Sequence, residues 1–398
     1  MGTDILLHPG DVLYRQGDPA DYAFILASGE ISLFTGEGAS RVETERRTAG
    51  SILGELSILT GQPRAVSVEA LTPCRLFQIP ATQILRRFNA LDPMLKACVE
   101  TSITFSAKLG DRRANPTSEA ELAPVTLAGA PDLIDLLELD CDMERGLSRG
   151  EFFMNYQPIV TLEEGEIAGF EALMRWSHPA RGAVPPDRFV AVAEEMQTVS
   201  AITDFALLET CRVLGRVQAV KQGPPLFASV NLSGQDIGRA DLIDFISHVL
   251  ALNDLVPSAL RLEVTETALV PQDAQAKKNL EALEELGCGL AIDDFGTGYS
   301  NLGYLKSLPL SAIKIDRSFA RDACANPVSH SIVKMLVGLG RELGVDVIAE
   351  GLETAQDAQA LRDIGCGLAQ GFVFSKPLSA DDLGALLHGN GRSTCQVA

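Results

Sequence analysis

Two rhythms of apolar and polar positions run along this chain. From His8 to Pro80 short alternating runs are broken by turn residues, the mark of half-buried antiparallel strands. Residues 22–34, YAFILASGEISLF, read as two strands meeting at Ser28-Gly29, and residues 66–80, VSVEALTPCRLFQIP, as two more around Thr72-Pro73. Between them AGSILGELSILTGQPRAVSV breaks the alternation: Gly54-Glu55 opens a single helical turn, Leu56 to Thr60, and Gly61 to Pro63 closes it before Arg64. After Pro80, Ile84, Leu85, Phe88 and Leu91 share one helix face, and Asp92-Pro93 starts a second helix reaching about Leu109. Residues 111–131 hold three prolines and little periodicity, and read as a linker.

Beyond residue 138 the rhythm changes to strand, helix, strand, helix. Strands are expected at Phe152–Ile159, Gly169–Trp176, Phe227–Leu232, Arg261–Thr265, Gly289–Asp293, Ala312–Ile315, Val345–Ala349 and Gly367–Gln370. The pentapeptide GCGLA recurs at 287–291 and 365–369, each time where a helix gives way to a strand. Eight strands over about 250 residues point to a (β/α)8 TIM-like barrel. The chain is therefore read as multidomain: residues 1–110 an antiparallel β-sandwich or jelly roll with flanking helices, 111–137 the linker, 138–389 the barrel and 390–398 a tail.

Composition narrows the chemistry. The net charge of -20 falls almost wholly on the barrel: residues 1–110 carry 10 basic and 12 acidic side chains, leaving 23 against 41 for the rest. Duplex DNA is an unsuitable partner for such a surface. Eight scattered cysteines without a CxxC pair argue against a disulfide framework or a zinc site. No apolar run reaches the ~20 residues that span a bilayer, and the opening MGTDILLHPGD lacks a basic stretch followed by an apolar one, so a cytoplasmic location is expected and no membrane partner.

The ends of the expected barrel strands carry the chemistry. Glu171 and Arg175, Asn231, Glu263 and Glu266, Asp293 and Asp294, Lys314 and Asp316, Glu350 and Glu353, and Gln370 all fall at or just past C-terminal strand ends, which converge on one mouth in such a barrel. Many acids, one Asn, one Lys and almost no His describe a pocket for hard divalent ions, magnesium, manganese or calcium. In the first domain, the turn at Gly54–Thr60 offers backbone N–H groups to an anion, with Arg64 as a bidentate phosphate donor.

Both patterns resemble known families. Residues 8–110 resemble a cyclic-nucleotide-binding domain of the catabolite-activator and protein-kinase regulatory-subunit type, with Gly54-Glu55-Leu56-Ser57 to Pro63-Arg64-Ala65-Val66 matching its phosphate-binding cassette. The resemblance implies that Glu55 binds a ribose 2′-hydroxyl, Arg64 the cyclic phosphate, and the amides around Leu56 and Ala65 complete the cradle. Ala65 in place of a hydroxyl residue leans towards cAMP over cGMP, and Leu53 stands where many members have Phe.

Residues 138–389 resemble an EAL domain, a phosphodiesterase that hydrolyses cyclic di-GMP to linear pGpG. The matching residues are Tyr156-Gln157-Pro158-Ile159, Glu171-Ala172-Leu173 with Arg175-Trp176, Asn231-Leu232-Ser233, Glu263-Val264-Thr265-Glu266, Asp293 to Gly298, Lys314-Ile315-Asp316, Ala349 to Glu353 and Gln370-Gly371. By that resemblance Glu171, Asn231, Glu263 and Asp293 hold one of two Mg2+ or Mn2+ ions, and Asp293, Asp294 and Glu350 hold the other. Lys314 acts with the catalytic Glu171 and Glu350 by orienting the attacking water. Leu173, Arg175 and Gln370 bind substrate, and Glu266 anchors the loop from Asp294 to Asn301. Asn301 for Ser and Leu352 for Val are departures that touch no proposed ligand. The combined expectation is a homodimeric two-metal phosphodiesterase regulated by cAMP. Two alternatives stay open: a cyclic di-GMP receptor without turnover, and an N-terminal domain that only scaffolds a dimer.

Overall fold

A computed structural model of the chain describes residues 4–36, 38–89, 130–221, 223–266, 274–296 and 308–388, with scattered positions between these ranges. The chain separates into two compact units, Met1–Arg145 and Gly146–Ala398.

Alternation in the first unit produces two antiparallel four-stranded sheets. Strands β1 (Asp4–Leu7), β2 (Val12–Tyr14), β3 (Tyr22–Ser28), β4 (Glu30–Thr35), β5 (Val42–Thr48), β6 (Ile52–Leu53), β7 (Ser67–Ala70) and β8 (Cys74–Pro80) pair in the orders β1-β8-β3-β6 and β2-β7-β4-β5. This is the expected jelly roll, with four strands more than the two hairpins read from the sequence. Phe24, Leu26, Ile31, Leu33, Leu53, Val68 and Leu76 form its core, and burying each such side chain stabilises the fold by about 1.5–3 kcal/mol. Helix α1 (Glu55–Thr60) interrupts the strands between left-handed Gly54 and Gly61. Helix α2 (Ala81–Asn89) follows β8. It holds the buried Asp140 of α3 (Ala130–Arg149) through Gln83 Nε2 at 2.6 Å and Arg87 Nη2 at 2.8 Å. Most of the second helix expected after Asp92, and all but the last two residues of the 111–131 linker, lie outside the described residues.

The second unit is a closed barrel. Strands β9 (Phe152–Thr161), β10 (Ile167–His178), β11 (Gly182–Val184), β12 (Phe227–Asn231), β13 (Leu260–Thr265), β14 (Gly289–Phe295), β15 (Ala312–Ile315), β16 (Asp346–Ala349) and β17 (Leu368–Ala369) form one sheet. Its order is β11-β10-β12-β13-β14-β15-β16-β17-β9, and it is closed by pairing of β9 with β10. Neighbours from β10 to β17 run parallel, but β9 is antiparallel to both β10 and β17. The reason is local. Residues 162–166 make a tight turn with Gly165 left-handed at φ 71°, so β9 and β10 are a hairpin with no crossover helix to restore parallel direction. Among the described residues the unit's helices are α4 (Pro186–Glu195), α5 (Val199–Gln218), α6 (Gly234–Ile237), α7 (Leu242–Leu252), α8 (Ala274–Leu286), α9 (Arg317–Asp322), α10 (Pro327–Leu343), α11 (Ala355–Ile364) and α12 (Ala380–His388). The repeated GCGLA has one physical cause at both places: Gly287 (φ 92°) and Gly365 (φ 90°) end α8 and α11 in the left-handed conformation, after which a buried cysteine leads into β14 or β17.

Period-two alternation then sorts the strand residues. One set, including Ala228, Val230, Leu262, Val264, Leu290, Ile292, Ile313 and Val347, joins the main core under the helices. The other fills the lumen. Ile159, Ala291, Ala312 and Ile348 form a separate apolar cluster with Phe227 and Leu368 packed on it. Towards the N-terminal strand ends, Arg261 lies with Cζ 4.1 Å from the centre of the Phe227 ring and pairs with Asp346 at 2.8 Å. A side chain at Gly289 would press on Arg261, at 3.3 Å from its Cβ. Two residues further along the same alternation come Glu263, Asp293, Lys314, Glu350 and Gln370. Among the described residues, no helix is long and apolar enough to cross a membrane.

Candidate functional sites

At the barrel mouth one ammonium sits inside four carboxylates. Lys314 Nζ is 2.5 Å from Glu263 Oε2, 2.7 Å from Glu350 Oε1, 3.1 Å from Asp293 Oδ1 and 3.5 Å from Glu171 Oε1, and its side chain is 1% exposed. Glu171 is further held by Gln370 Nε2 at 2.5 Å and Asn231 Nδ2 at 3.2 Å, and Gln370 also reaches Glu350 at 3.4 Å. The residues expected as ligands, base and substrate contact thus come together, from seven different strands and their ends. Asn231 and Lys314 lie at the strand ends as expected. Glu171 does not: it sits inside β10, which continues to His178 to pair with β11. Its position at the mouth comes instead from the register, since β10 starts to pair with β12 only at Gly169. Leu173 and Arg175 follow on the same face of β10, and Arg175 Nη1 donates to Met174 O at 2.8 Å.

The adjacent acids also have a structural cause. The sequence places the end of the strand at Asp293, but β14 continues to Phe295. Its pairing with β15 slips between Ile292 and Phe295, and Asp294 takes φ 53°. This bulge, rather than a strand end, turns two neighbouring carboxylates to one side. Asp293, Asp294 and Glu350 each offer an oxygen, and these oxygens lie within 4.8 Å of one another. Asp294 is hydrogen-bonded to Asp316, which also accepts from Ser318 N at 3.0 Å as the cap of α9. Asp316 is thus a positioning partner outside the expected ligand set, and its place in the Lys-Ile-Asp run was the available signal. Glu266 is buried just past β13, while most of the loop it is expected to anchor lies outside the described residues.

The electrostatics are those of an over-filled anion cluster. Burial would lower Lys314, but the four carboxylates outweigh it and hold the amine well above its ordinary value. Burial, opposed by Lys314 and reinforced by Glu171, Asp293 and Glu350, pushes Glu263 well above the carboxylate range. Glu350 is pushed up to about 8, by burial first. Burial also acts to raise Glu171, yet Lys314 and the bonds from Gln370 and Asn231 prevail and keep it low. One ammonium does not neutralise these acids, and the buried Glu263 Oε1 and Gln370 Oε1 have no hydrogen-bond partner. An all-oxygen donor set with surplus negative charge and orphaned acceptors fits hard divalent cations.

The first unit holds the opposite arrangement. Arg64 is 4% exposed, and its guanidinium donates from Nη1 to Gly54 O at 2.9 Å and from Nη2 to Tyr22 O, while buried Nε has no partner. Gly54 is required twice over. Its φ is 78°, and a Cβ there would lie 2.0 Å from Arg64 Nη1. Burial lowers Arg64 below its ordinary value, against the opposing effect of Tyr14, Asp21, Asp18 and Glu55. Glu55 opens α1 and is raised by burial, with Arg47 and Arg64 opposing. Ser57 is buried, whereas Leu56 and Ala65 are exposed. The expected cassette is therefore assembled, with Arg64 turned inward onto backbone carbonyls rather than projecting from its turn.

A jelly roll with a buried arginine next to a short helix, and a barrel with acidic side chains gathered at its mouth, are the two modules of the chain. The chain belongs to the EAL family: the EAL domain model matches residues 140–377, and the cyclic nucleotide-binding domain model matches residues 5–90. It is 40% identical over 242 residues to the cyclic di-GMP phosphodiesterase NbdA of Pseudomonas aeruginosa, covering 61% of this chain and 31% of that protein. It is 37% identical over 250 residues to the cyclic di-GMP phosphodiesterase RocR of the same organism, covering 62% and 63%. The chain thus spans less than two thirds of either curated relative. Among solved structures, the EAL enzyme Bd1971 in its cAMP and cyclic di-GMP bound form aligns over 97% of this chain and 100% of that one, with TM-score 0.61 and 27% identity.

Proposed function

We propose that the chain is a cyclic di-GMP phosphodiesterase whose barrel, residues 138–389, is regulated by cAMP binding to a sensor domain, residues 1–110. The observation that carries this reading is the cage around Lys314, in which buried carboxylates outnumber the one cation that touches them all. Glu171, Asn231, Glu263 and Asp293 would hold one Mg2+ or Mn2+ ion, and Asp293, Asp294 and Glu350 a second. When bound, the ions supply Lewis-acid stabilisation of the charge that develops on the phosphodiester. Around them the chain's own groups orient and move protons. Arg175 and Gln370, with Leu173 beside them, bind and align the substrate. Lys314 Nζ orients the attacking water. Attack of that water on phosphorus breaks the P–O3′ bond, the 3′ oxygen takes up a proton, and linear pGpG results. In the first unit Arg64 would meet the cyclic phosphate, its partnerless Nε being the donor already free, and Glu55 the ribose hydroxyl. Bd1971, solved with both nucleotides, supports the pairing of the two activities.

The test is hydrolysis of cyclic di-GMP with Mg2+ or Mn2+, with and without saturating cAMP, following pGpG by chromatography. Turnover that changes with cAMP is expected. Turnover indifferent to cAMP removes the regulatory half of the proposal, and cyclic di-GMP binding without turnover under either condition replaces the enzyme with a receptor.

A further inference from the structure

Arg64 is held by more than its own turn. The Tyr14 ring lies under the guanidinium with Cζ 4.3 Å from its centroid, and Phe24 stacks on Tyr14 at 6.0 Å and 27°. Guanidinium donors point outward in the plane of the group, whereas its faces are poorly hydrated, so a ring can cover a face without competing for a donor. Here Gly54 O and Tyr22 O take two in-plane donors and Tyr14 takes a face.

Two independent features aim Tyr14 at this place. Pairing of β2 with β7 is irregular between Val12 and Tyr14, the kind of slip that re-aims a strand side chain. The segment just after Tyr14 also grips the Arg64 backbone from both sides: Gly17 N donates to Arg64 O at 2.8 Å, and Arg64 N donates to Asp18 O at 2.9 Å.

We infer that Tyr14, backed by Phe24, is the positioning residue for Arg64, setting the guanidinium plane in which an incoming cyclic phosphate is met. This rests on the nucleotide-binding reading above. The ring touches the arginine and acts on the ligand through it. Because the ring's effect depends on its electron-rich face and not only on its volume, it differs from ordinary core packing.

The experiment is calorimetric titration of the full chain with cAMP, comparing wild type with Tyr14→Phe, Tyr14→pentafluorophenylalanine and Tyr14→Leu. Tyr14→Phe is expected to bind within about twofold of wild type. Tyr14→pentafluorophenylalanine, of nearly the same shape but with the ring's charge distribution reversed, and Tyr14→Leu are expected to bind about 3- to 30-fold more weakly. Equal affinity of the fluorinated and unfluorinated phenylalanine variants would overturn the inference and leave Tyr14 as packing, even if Tyr14→Leu fails to fold. Failure of wild type to bind cAMP would overturn the nucleotide reading and this inference together. Binding by wild type that Tyr14→Leu leaves unchanged would sink the inference alone.

Discussion

Lys314 and Arg64 are both cations taken almost wholly out of water, and they are stabilised in opposite ways. Lys314 is surrounded by four carboxyl groups within 3.5 Å, more negative charge than one ammonium offsets when all are ionised, and burial holds Glu263 and Glu350 towards their protonated forms. Arg64 is met by partial charges, two backbone carbonyls and an aromatic face, and keeps its positive character. The first arrangement attracts further cations and the second an anion. Burying a charge costs several kcal/mol in either case, so what is selected is the sign that remains once the buried ion has been satisfied.

The contrast can be broken most severely at Lys314. Lys314→Met leaves four acids with no cation and should lower barrel stability by about 3–5 kcal/mol, read as a fall in the melting temperature. Mn2+ should restore more of the loss in this variant than it adds to wild type. If the variant melts like wild type in EDTA, the carboxylates are already protonated and the cage is not an anion cluster. Next, Asp293→Asn removes the carboxylate shared by the two proposed ion sites. Turnover should drop by more than about 100-fold, beyond the usual cost of an outer-shell partner, while cAMP affinity stays put.

The mirror-image change is Arg64→Ala, which should weaken cAMP binding by about 10- to 150-fold, the value of a charge-assisted hydrogen bond of about 1.5–3 kcal/mol, and leave hydrolysis without cAMP unaltered. Calorimetry and the chromatographic assay separate the two outcomes. The smallest effect is expected at Glu55. Burial raises its carboxyl in the folded state, so the folded chain binds the proton more tightly than the unfolded one, and stability is lost as pH rises through the folded value. Glu55→Gln should therefore melt higher than wild type at pH 7, with the difference closing at acid pH, while binding cAMP more weakly. A lower melting temperature at pH 7 would mean that the carboxylate stabilises the first unit.

Much of this contrast was legible in the sequence because it is written in period and spacing. Alternation located four of the eight jelly-roll strands, β3, β4, β7 and β8, and the strand-to-helix rhythm located the barrel. Acids, Asn, Lys and Gln at corresponding points of successive strands named the members of the cage. What escaped was register. Nothing in the residues 169–176 says that β10 runs from Ile167 to His178, because strand length there is set by pairing with β9 and β11. The bulge behind Asp293 and Asp294 is a slip between two strands, invisible in either alone. The direction of β9 was within reach, since no helical stretch separates it from β10. Tyr14 carries no signal in the sequence, because a contact with a side chain fifty positions away leaves no local mark.

The lower end of the barrel has a consequence for traffic through it. Ile159, Ala291, Ala312 and Ile348 close the lumen, and below them Arg261 lies on the Phe227 ring and is tied to Asp346. The mouth is therefore a cul-de-sac. Under the proposed hydrolysis the product would leave by the door through which the substrate came, so a spent molecule lingering at the threshold would shut out the next, and the rate of departure would become part of the rate of work.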